Sequence, residues 1–382
     1  MCSNHLSGIL SKIVLLVLAT AMIPFGALVF AIPASAQSLL KIDLPKDTPV
    51  TFLSSDLGES RATPIGKDYR VDLHASLTLR NSSAKRIRGL TLAVRAHEVT
   101  PGGTGVVWKP SLDIAPGDSF PVQLNLSLLR PGVPGESTPS VEVQLDGVLF
   151  EDLSFYGPDK LQSKRSLTVW ELEAQRDRKY FKAMLDSGGR EGLQKAMLTS
   201  LSTQADRSQP GVQMQRGPAT NADPSNEVQF AFLHVPDAPV EAAGGSARVG
   251  ANEAHAPRFN VSNLSKRPVQ HLEIGWIVKD QSGREFLAAS LPADLPLAAG
   301  QSGKVALDTS LRFTDQRTTI QTLTGFVSTV EFADGTYWIP SRAALDNPDL
   351  RRVVAPSPEE QRLSQIYNKR GLVALIDELK KF

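Results

Sequence analysis

Asn81-Ser-Ser-Ala-Lys-Arg-Ile-Arg-Gly-Leu90 and Asn263-Leu-Ser-Lys-Arg-Pro-Val-Gln-His-Leu272 answer each other across an offset of 182 residues (81 to 263). At that offset Ser83 meets Ser265, Ile87 meets Val269, Leu90 meets Leu272 and Leu92 meets Ile274. Further along, Phe150 meets Phe332, Asp152 meets Asp334, Tyr156 meets Trp338 and Pro158 meets Pro340. The turn Pro116-Gly117-Asp118-Ser119 meets Ala299-Gly300-Gln301-Ser302 after one residue of slippage. One register held over so many matched residue classes predicts a tandem duplication, and a repeat of this length sets the architecture before single elements do.

Each copy opens as a β region. Val71, Leu73, Ala75, Leu77 and Leu79 alternate with mostly polar residues, the period-two mark of a half-buried strand. Leu90-Leu92-Val94, Val122-Leu124-Leu126 and Val141-Val143-Leu145 repeat the pattern, as do Phe259-Val261 and Leu272-Ile274-Trp276-Val278 in the second copy. Phe326, Val330 and Phe332 also share one phase. Pro101-Gly102-Gly103, Pro131-Gly132, Asp280 to Gly283 and Ala333-Asp334-Gly335 supply turn chemistry between strands. Short strands divided by such turns predict an immunoglobulin-like β-sandwich in each copy.

Helices close each copy. Trp170, Ala174, Phe181, Met184 and Leu185 fall on one helical face, Gly188-Gly189 breaks it, and Leu193, Ala196, Met197 and Leu201 form a second stripe. At the C-terminus Ser357-Pro358-Glu359-Glu360 reads as a capping box with proline at the first helical position. Leu363, Ile366 and Tyr367 line a face, Asn368 to Gly371 turns, and Leu372, Leu375, Ile376 and Leu379 line the next. Phe181 meets Leu363 and Met197 meets Leu379 at the same offset, so the helical hairpin belongs to the repeat. The expected fold is mainly β with helices: two immunoglobulin-like sandwiches, each followed by an α-helical hairpin. Its boundaries are a signal peptide over 1–36, sandwich 1 over 37–160, hairpin 1 over 161–203, a flexible polar linker over 204–226, sandwich 2 over 227–345 and hairpin 2 over 346–382. Each hairpin is expected to cover its own sandwich, giving two separable units.

The first segment reads as an export signal. Lys12 ends a short polar start, Ile13 to Ile32 carries no charge, and Ala34-Ser35-Ala36 offers small residues for cleavage before Gln37. The alternative is an uncleaved N-terminal anchor, because an apolar run of this length can span a bilayer. Either reading places the rest of the chain outside the cytoplasm, periplasmic or secreted, with the membrane met only through this segment. The single cysteine, Cys2, lies in the signal, so no disulfide framework holds the domains. Lys plus Arg number 41 against 40 Asp plus Glu, which gives no field for nucleic acid.

The pattern Val261-x-Asn263-x-Ser265-Lys266-x-x-Val269, then Asp280-x-x-Gly283, then Leu297-x-x-Gly300-x-Ser302 resembles bacterial extracytoplasmic immunoglobulin-like modules of the FxLYD and CARDB kind. The Phe-x-Leu-Tyr-Asp signature is missing, and the hairpin is no part of those modules. The resemblance implies a binding or spacing unit with no active-site residues to carry over.

Chemistry is sparse. No two of His74, His97, His234, His255 and His271 stand three to five residues apart, as metal ligands on one turn would. No Gly-x-Ser-x-Gly occurs. Asp146, Glu151 and Asp152 beside Glu331 and Asp334 could pair as carboxylates for glycoside cleavage, but their duplicated place at a strand end favours turn capping. Asn81, Asn263, Asp152 and Asp334 are therefore assigned to structural turns. Pro101 to Gly105 lacks the lysine of a phosphate loop, and no cofactor is expected. Among the four tryptophans Trp108 is the one without an aromatic counterpart, a possible exposed aromatic. The expectation is a non-catalytic envelope protein that binds or spaces other proteins. The alternatives are a carbohydrate-binding protein and an enzyme of unrecognised type.

Overall fold

The computed structural model describes residues 40–96, 104–131, 141–205, 209–216, 226–250, 252–288, 292–307, 309–313, 319–348, 350 and 354–382. The signal segment, His97-Glu98 and the Pro101-Gly-Gly run lie outside them. The fold is mainly β, with several sheets and a set of helices.

The first β region holds β1 (Leu40–Asp43), β2 (Val50–Asp56), β3 (Arg61–Ile65), β4 (Asp68–Asn81), β5 (Ile87–Ala96), β6 (Thr104–Lys109), β7 (Ser119–Pro131), β8 (Val141–Phe150) and β9 (Phe155–Tyr156). One sheet runs β1-β8-β5-β6 with β9 on β8, and the other runs β2-β4-β3 with β7 on β4. The alternation read from sequence points Val71, Leu73, Ala75, Leu77 and Leu79 inward from one sheet, against Leu90, Leu92, Val94, Val141 and Val143 from the other. These two faces share one core, as a sandwich requires.

After it come α1 (Ser163–Ala205), β10 (Gln209–Arg216), β11 (Glu227–Leu233), β12 (Val240–Val249), β13 (Glu253–Asn263), β14 (Val269–Asp280), β15 (Glu285–Ala288), β16 (Pro292–Leu297), β17 (Ser302–Ala306), β18 (Thr309–Phe313), β19 (Ile320–Phe332) and β20 (Tyr337–Trp338). Two helices follow, α2 (Arg342–Leu345) and α3 (Pro358–Leu379). Here the expectation of two separate sheets needs correcting. The strands form one 11-stranded sheet whose path β14-β15-β10-β18-β13-β12-β11-β19 returns to its start through the β14–β19 pairing, so it curls round its core.

The reason lies partly in the stretch read as a linker. Of 204–226, Gln204 and Ala205 end α1, and Gln209–Arg216 is a strand parallel to β15 and antiparallel to β18. Val212 is buried there. Two apolar residues, Val212 and Met214, and a register between two strand edges are too little signal for a periodicity reading to catch.

The paired strands repeat in detail. Ile87 lies opposite Phe150 and Val269 opposite Phe332, Leu90 opposite Val148 and Leu272 opposite Val330. The register slips at Thr91/Leu92 in one pair and at Glu273/Ile274 in the other, each 182 residues apart. That second bulge flips the side-chain phase. Val327 therefore enters the main core with Val330 and Phe332, whereas Phe326, expected in their phase, packs with Val235, Ile277, Ala344 and Leu350 beneath α2.

Both long helices are broken by glycine at the same offset. Gly189 has φ 61° and ψ −153°, and Gly371 has φ 81° and ψ −179°, a region closed to side chains with a Cβ. The breaks fold α1 and α3 into the expected hairpins. Their packing differs from the expectation. Phe181, Leu193 and Met197 of α1 are buried against Leu363, Leu375 and Leu379 of α3. The first hairpin does rest on its own sandwich, with Leu167 filling the space that a Cβ on Gly89 would take. The second hairpin packs on the first. An apolar stripe needs an apolar partner of matching shape, and the stripe of α3 supplies one for that of α1.

Candidate functional site

The charged groups converge where α1, α2, α3 and both β regions meet. Leu167, Thr168, Glu171, Ala174, Asp177, Arg178 and Phe181 are the buried face of the first half of α1, so three ionisable groups enter the interior with the apolar stripe. Glu171, 2% exposed, accepts from Arg178 Nη2 at 2.6 Å, and Arg88 Nε of β5 stands 3.9 Å away. Arg178 also lies 3.5 Å from Glu359 of α3, which takes a two-pronged bond from Arg362 at 2.8 Å on each arm. The Arg88 and Arg178 guanidinium groups both lie within cation–π range of the Phe382 ring, at 5.0 and 4.4 Å from its centroid.

A second cluster is built round Asp177, which is fully buried. It accepts from Arg176 Nε at 2.9 Å and from the Ser357 hydroxyl at 2.6 Å, and Arg342 stands 3.6 Å away. Ser357 is the N-cap of α3, accepting from Glu360 N–H at 3.0 Å. Half of the expected capping box is thus present. The Glu360 carboxylate turns instead to the Ser200 hydroxyl, with Arg342 3.5 Å away. Arg342 also lies over the Tyr180 ring at 4.2 Å. Arg176 reaches the Pro340 carbonyl at 3.0 Å, and Arg165 bonds Glu331 of β19 at 2.7 Å, so α1 is tied to the second β region as well as to the first.

Electrostatics follow from burial. Burial pushes the Glu171 carboxyl up, with Arg178 and Arg88 opposing. Glu173, partly buried on the adjoining face, is pushed up to about 7 by burial, with Asp177, Glu273 and Glu360 adding to the rise against Arg176. Burial opposes the charge on Glu378, but Lys381 and Arg362 outweigh it and hold its carboxyl below the usual range. An opening beside the Asp177 cluster, lined by Tyr180, Ser200, Arg342 and Glu360 among others, has a volume of about 40 Å³, room for a water or two. A larger groove of about 560 Å³ runs between the hairpins past Lys182, Asp186, Arg190, Val373, Asp377 and Lys380. Among the described residues no three of His, Cys, Asp and Glu stand grouped as a metal site requires.

The residues singled out from sequence lie away from this cluster. Asn81 Nδ2 donates to the Lys85 and Ile114 carbonyls at 2.9 and 3.0 Å, and its Oδ1 accepts from Ser83 N–H at 3.0 Å and hydroxyl at 2.7 Å. Asn263 repeats this with Arg267, Ala298 and Ser265 at 2.8, 3.0, 3.0 and 2.7 Å. Asp152 accepts from Ser154 N–H at 3.1 Å and from Lys85 at 2.6 Å, and Asp334 accepts from Thr336 N–H at 3.1 Å and from Arg267 at 2.6 Å. All four are turn residues. Asp146 takes the Lys160 and Leu161 N–H groups at 2.9 and 3.2 Å, together with the Ser163 hydroxyl, at the entrance to α1. Trp108 is not a free aromatic: it is partly buried and packs edge-on against Trp170 of α1, ring centroids 5.2 Å apart.

Sequence reading missed the buried charges because a helical stripe is sought among apolar residues. The available signal was Glu171, Asp177 and Arg178 recurring in phase with Leu167, Ala174 and Phe181. No family model matches the chain, and neither does any curated protein. Among solved structures, a chain described as pT26-6p is 9% identical with a TM-score of 0.16, covering 90% of this chain and 74% of that one. An anti-sigma factor domain-containing protein is 8% identical with a TM-score of 0.13, covering 78% of this chain and 91% of that one. Scores this low carry no argument about fold or function.

Proposed function

We propose that the chain is an exported, non-catalytic envelope protein that binds or spaces other proteins. Its two β regions and two hairpins are read as a tandem duplication of an immunoglobulin-like unit. Support for the duplication comes from the shared bulge, the matching asparagine and aspartate turns, and the two glycine breaks, all at one offset. The observation that carries the functional reading is the commitment of the buried charges to one another. Glu171, Asp177, Arg178, Glu359 and Arg362 tie α1 to α3, and Arg165 ties α1 to β19. Groups so paired fix the relative placement of two β bodies, which is the work of a spacer.

Crosslinking of the chain in intact cells, followed by identification of what is captured, tests this. The expected outcome is capture of an envelope protein through an exposed face of either β region. Turnover of a small molecule by the purified chain, abolished by Glu171→Gln with the fold intact, would overturn it.

A further inference from the structure

The two β regions differ at one pair of strand edges. In the second, β10 stands between β15 and β18, with Gln209 beside Phe286 on one side and Arg216 beside Thr309 on the other. In the first, the strand attached to β5 as β15 is attached to β14 is β6, and the strand attached to β4 as β18 is attached to β13 is the C-terminal half of β7. Among the described residues β6 pairs only with β5, and β7 only with β4. The two strands are neighbours through their side chains: a Cβ on Gly105 of β6 would lie 3.9 Å from Leu126 Cδ2 of β7. Val106 and Leu129 on these strands are 40% and 41% exposed. Open edges with exposed apolar side chains are templates for a further strand, and most proteins blunt them.

We propose that the β6 and β7 edges accept one extended strand from a protein partner, running parallel to β6 and antiparallel to β7. The strand carries apolar residues two apart, the spacing of Val212 and Met214 in β10. Main-chain hydrogen bonds supply affinity and the alternate side chains supply specificity. The chain's own sequence says why the strand comes from another molecule. Lys41 of β1 faces Glu142 as Ala231 of β11 faces Thr324, an offset of 190 before the first β region, so the counterpart of β10 falls at about residues 19–26. That stretch is inside the apolar run read as an export signal, and in this the proposal rests on the exported reading above. A second copy is a poor donor, because its β10 is already seated in its own second sheet.

The test uses the chain beginning at Gln37, which has no cysteine, and a fluorescent peptide copying Gln209–Arg216 with its flanks. Saturable binding is expected, weakened about tenfold or more by Val106→Asp with Leu129→Asp and unchanged by Val373→Asp on the helical hairpin. Single thiols at Val106→Cys and Leu129→Cys should each trap a peptide whose cysteine replaces Gln213 or Val212, the central positions that the register of the second sheet brings to them. A circular dichroism spectrum unchanged in the charged variant shows that its loss of binding is local. Absence of binding, indifference to the double substitution, or trapping in the second sheet overturns the proposal. So does concentration-dependent crosslinking of two copies through Val106→Cys, which would make the face a self-interface. Intact mass of the chain from the envelope fraction reports separately on export, so a failed signal reading and a failed edge reading give different results.

Discussion

Ser357 donates its hydroxyl proton to the buried Asp177 carboxylate at 2.6 Å, and the same oxygen caps α3 by accepting the Glu360 N–H at 3.0 Å. One side chain thus starts the second hairpin and anchors it to the first. Ser357→Ala loses a cap and a hydrogen bond to a buried charge, and should destabilise the chain by about 3 kcal/mol in denaturant unfolding. Ser357→Thr should keep most of that. Ser357→Asp is the sharper variant. Aspartate caps an isolated helix as well as serine does, but here it places a second carboxylate against Asp177, so it should be worse than alanine. If the aspartate variant matches the parent, the bond to Asp177 contributes nothing.

The asparagine turns and the aspartate turns are geometrically alike and should not be energetically alike. Asn81 and Asn263 are 0% and 1% exposed and bind main-chain groups on two loops each. Asn81→Ala and Asn263→Ala should each cost about 2 to 4 kcal/mol, because buried carbonyl and N–H partners are left without bonds. Asp152 and Asp334 are about half exposed. Hydrogen bonds from Lys85 and Arg267 hold their carboxyls well below the usual range, Asp334 to about 2. A depressed carboxyl stabilises above its unfolded pKa near 4, and that gain is lost as pH falls through the folded value. Asp334→Ala should therefore lower the Tm slightly at pH 7 and by progressively less as pH falls from about 4 through about 2. An alanine scan in which the aspartates cost more than the asparagines would contradict this ordering.

The strands, the turns and the hairpins were legible because each has a local signature. Alternation placed Leu73, Leu77 and Leu124 inward, and Gly189 and Gly371 marked breaks that only glycine tolerates. What could not be read was long-range. Nothing near Phe181 says that its stripe meets Leu363 of α3 instead of the first β region, because both surfaces are apolar. The strand at Gln209–Arg216 carries only Val212 and Met214 as an alternating apolar pair, and it exists through its two flanking edges. The charged seam was hidden for a related reason: Glu171 and Arg178 look like solvated helix positions until Arg88 and Glu359 arrive from elsewhere in the chain.

Glu173 predicts a pH dependence opposite in sign to that of Asp334. Its folded pKa, pushed up to about 7 by burial, lies above its ordinary value of 4.5. The folded state therefore holds a proton that the unfolded chain releases between those values, and stability falls as pH rises from about 4.5 to about 7. Asp177, Glu273 and Glu360 oppose its ionisation and Arg176 favours it. Glu173→Gln removes the penalty. The variant should be more stable than the parent by about 2 kcal/mol at pH 8.5 and equal to it near pH 5. Parallel stability profiles for parent and variant across that range would sink the assignment.

The last prediction concerns whether the two halves can part. Phe181, Leu193, Met197, Leu363, Leu375 and Leu379 are each at most 1% exposed in one cluster shared by both hairpins. The Ser357–Asp177 and Arg178–Glu359 contacts lie on the same seam, and Arg165–Glu331 joins α1 to the second sheet. Side chains this deep contribute about 1.5 to 3 kcal/mol each by leaving water, so the seam is strong enough to survive loss of the covalent connection. A protease site placed in residues 206–208, so that β10 stays with the second half, and cut in the folded chain should leave two fragments that co-elute and melt together. Phe181→Ala should cost about 3 to 5 kcal/mol in the uncut chain. In the cut chain it should let the fragments separate on dilution. Two fragments that part without that substitution, each with its own cooperative transition, would mean that the hairpins do not hold the halves together.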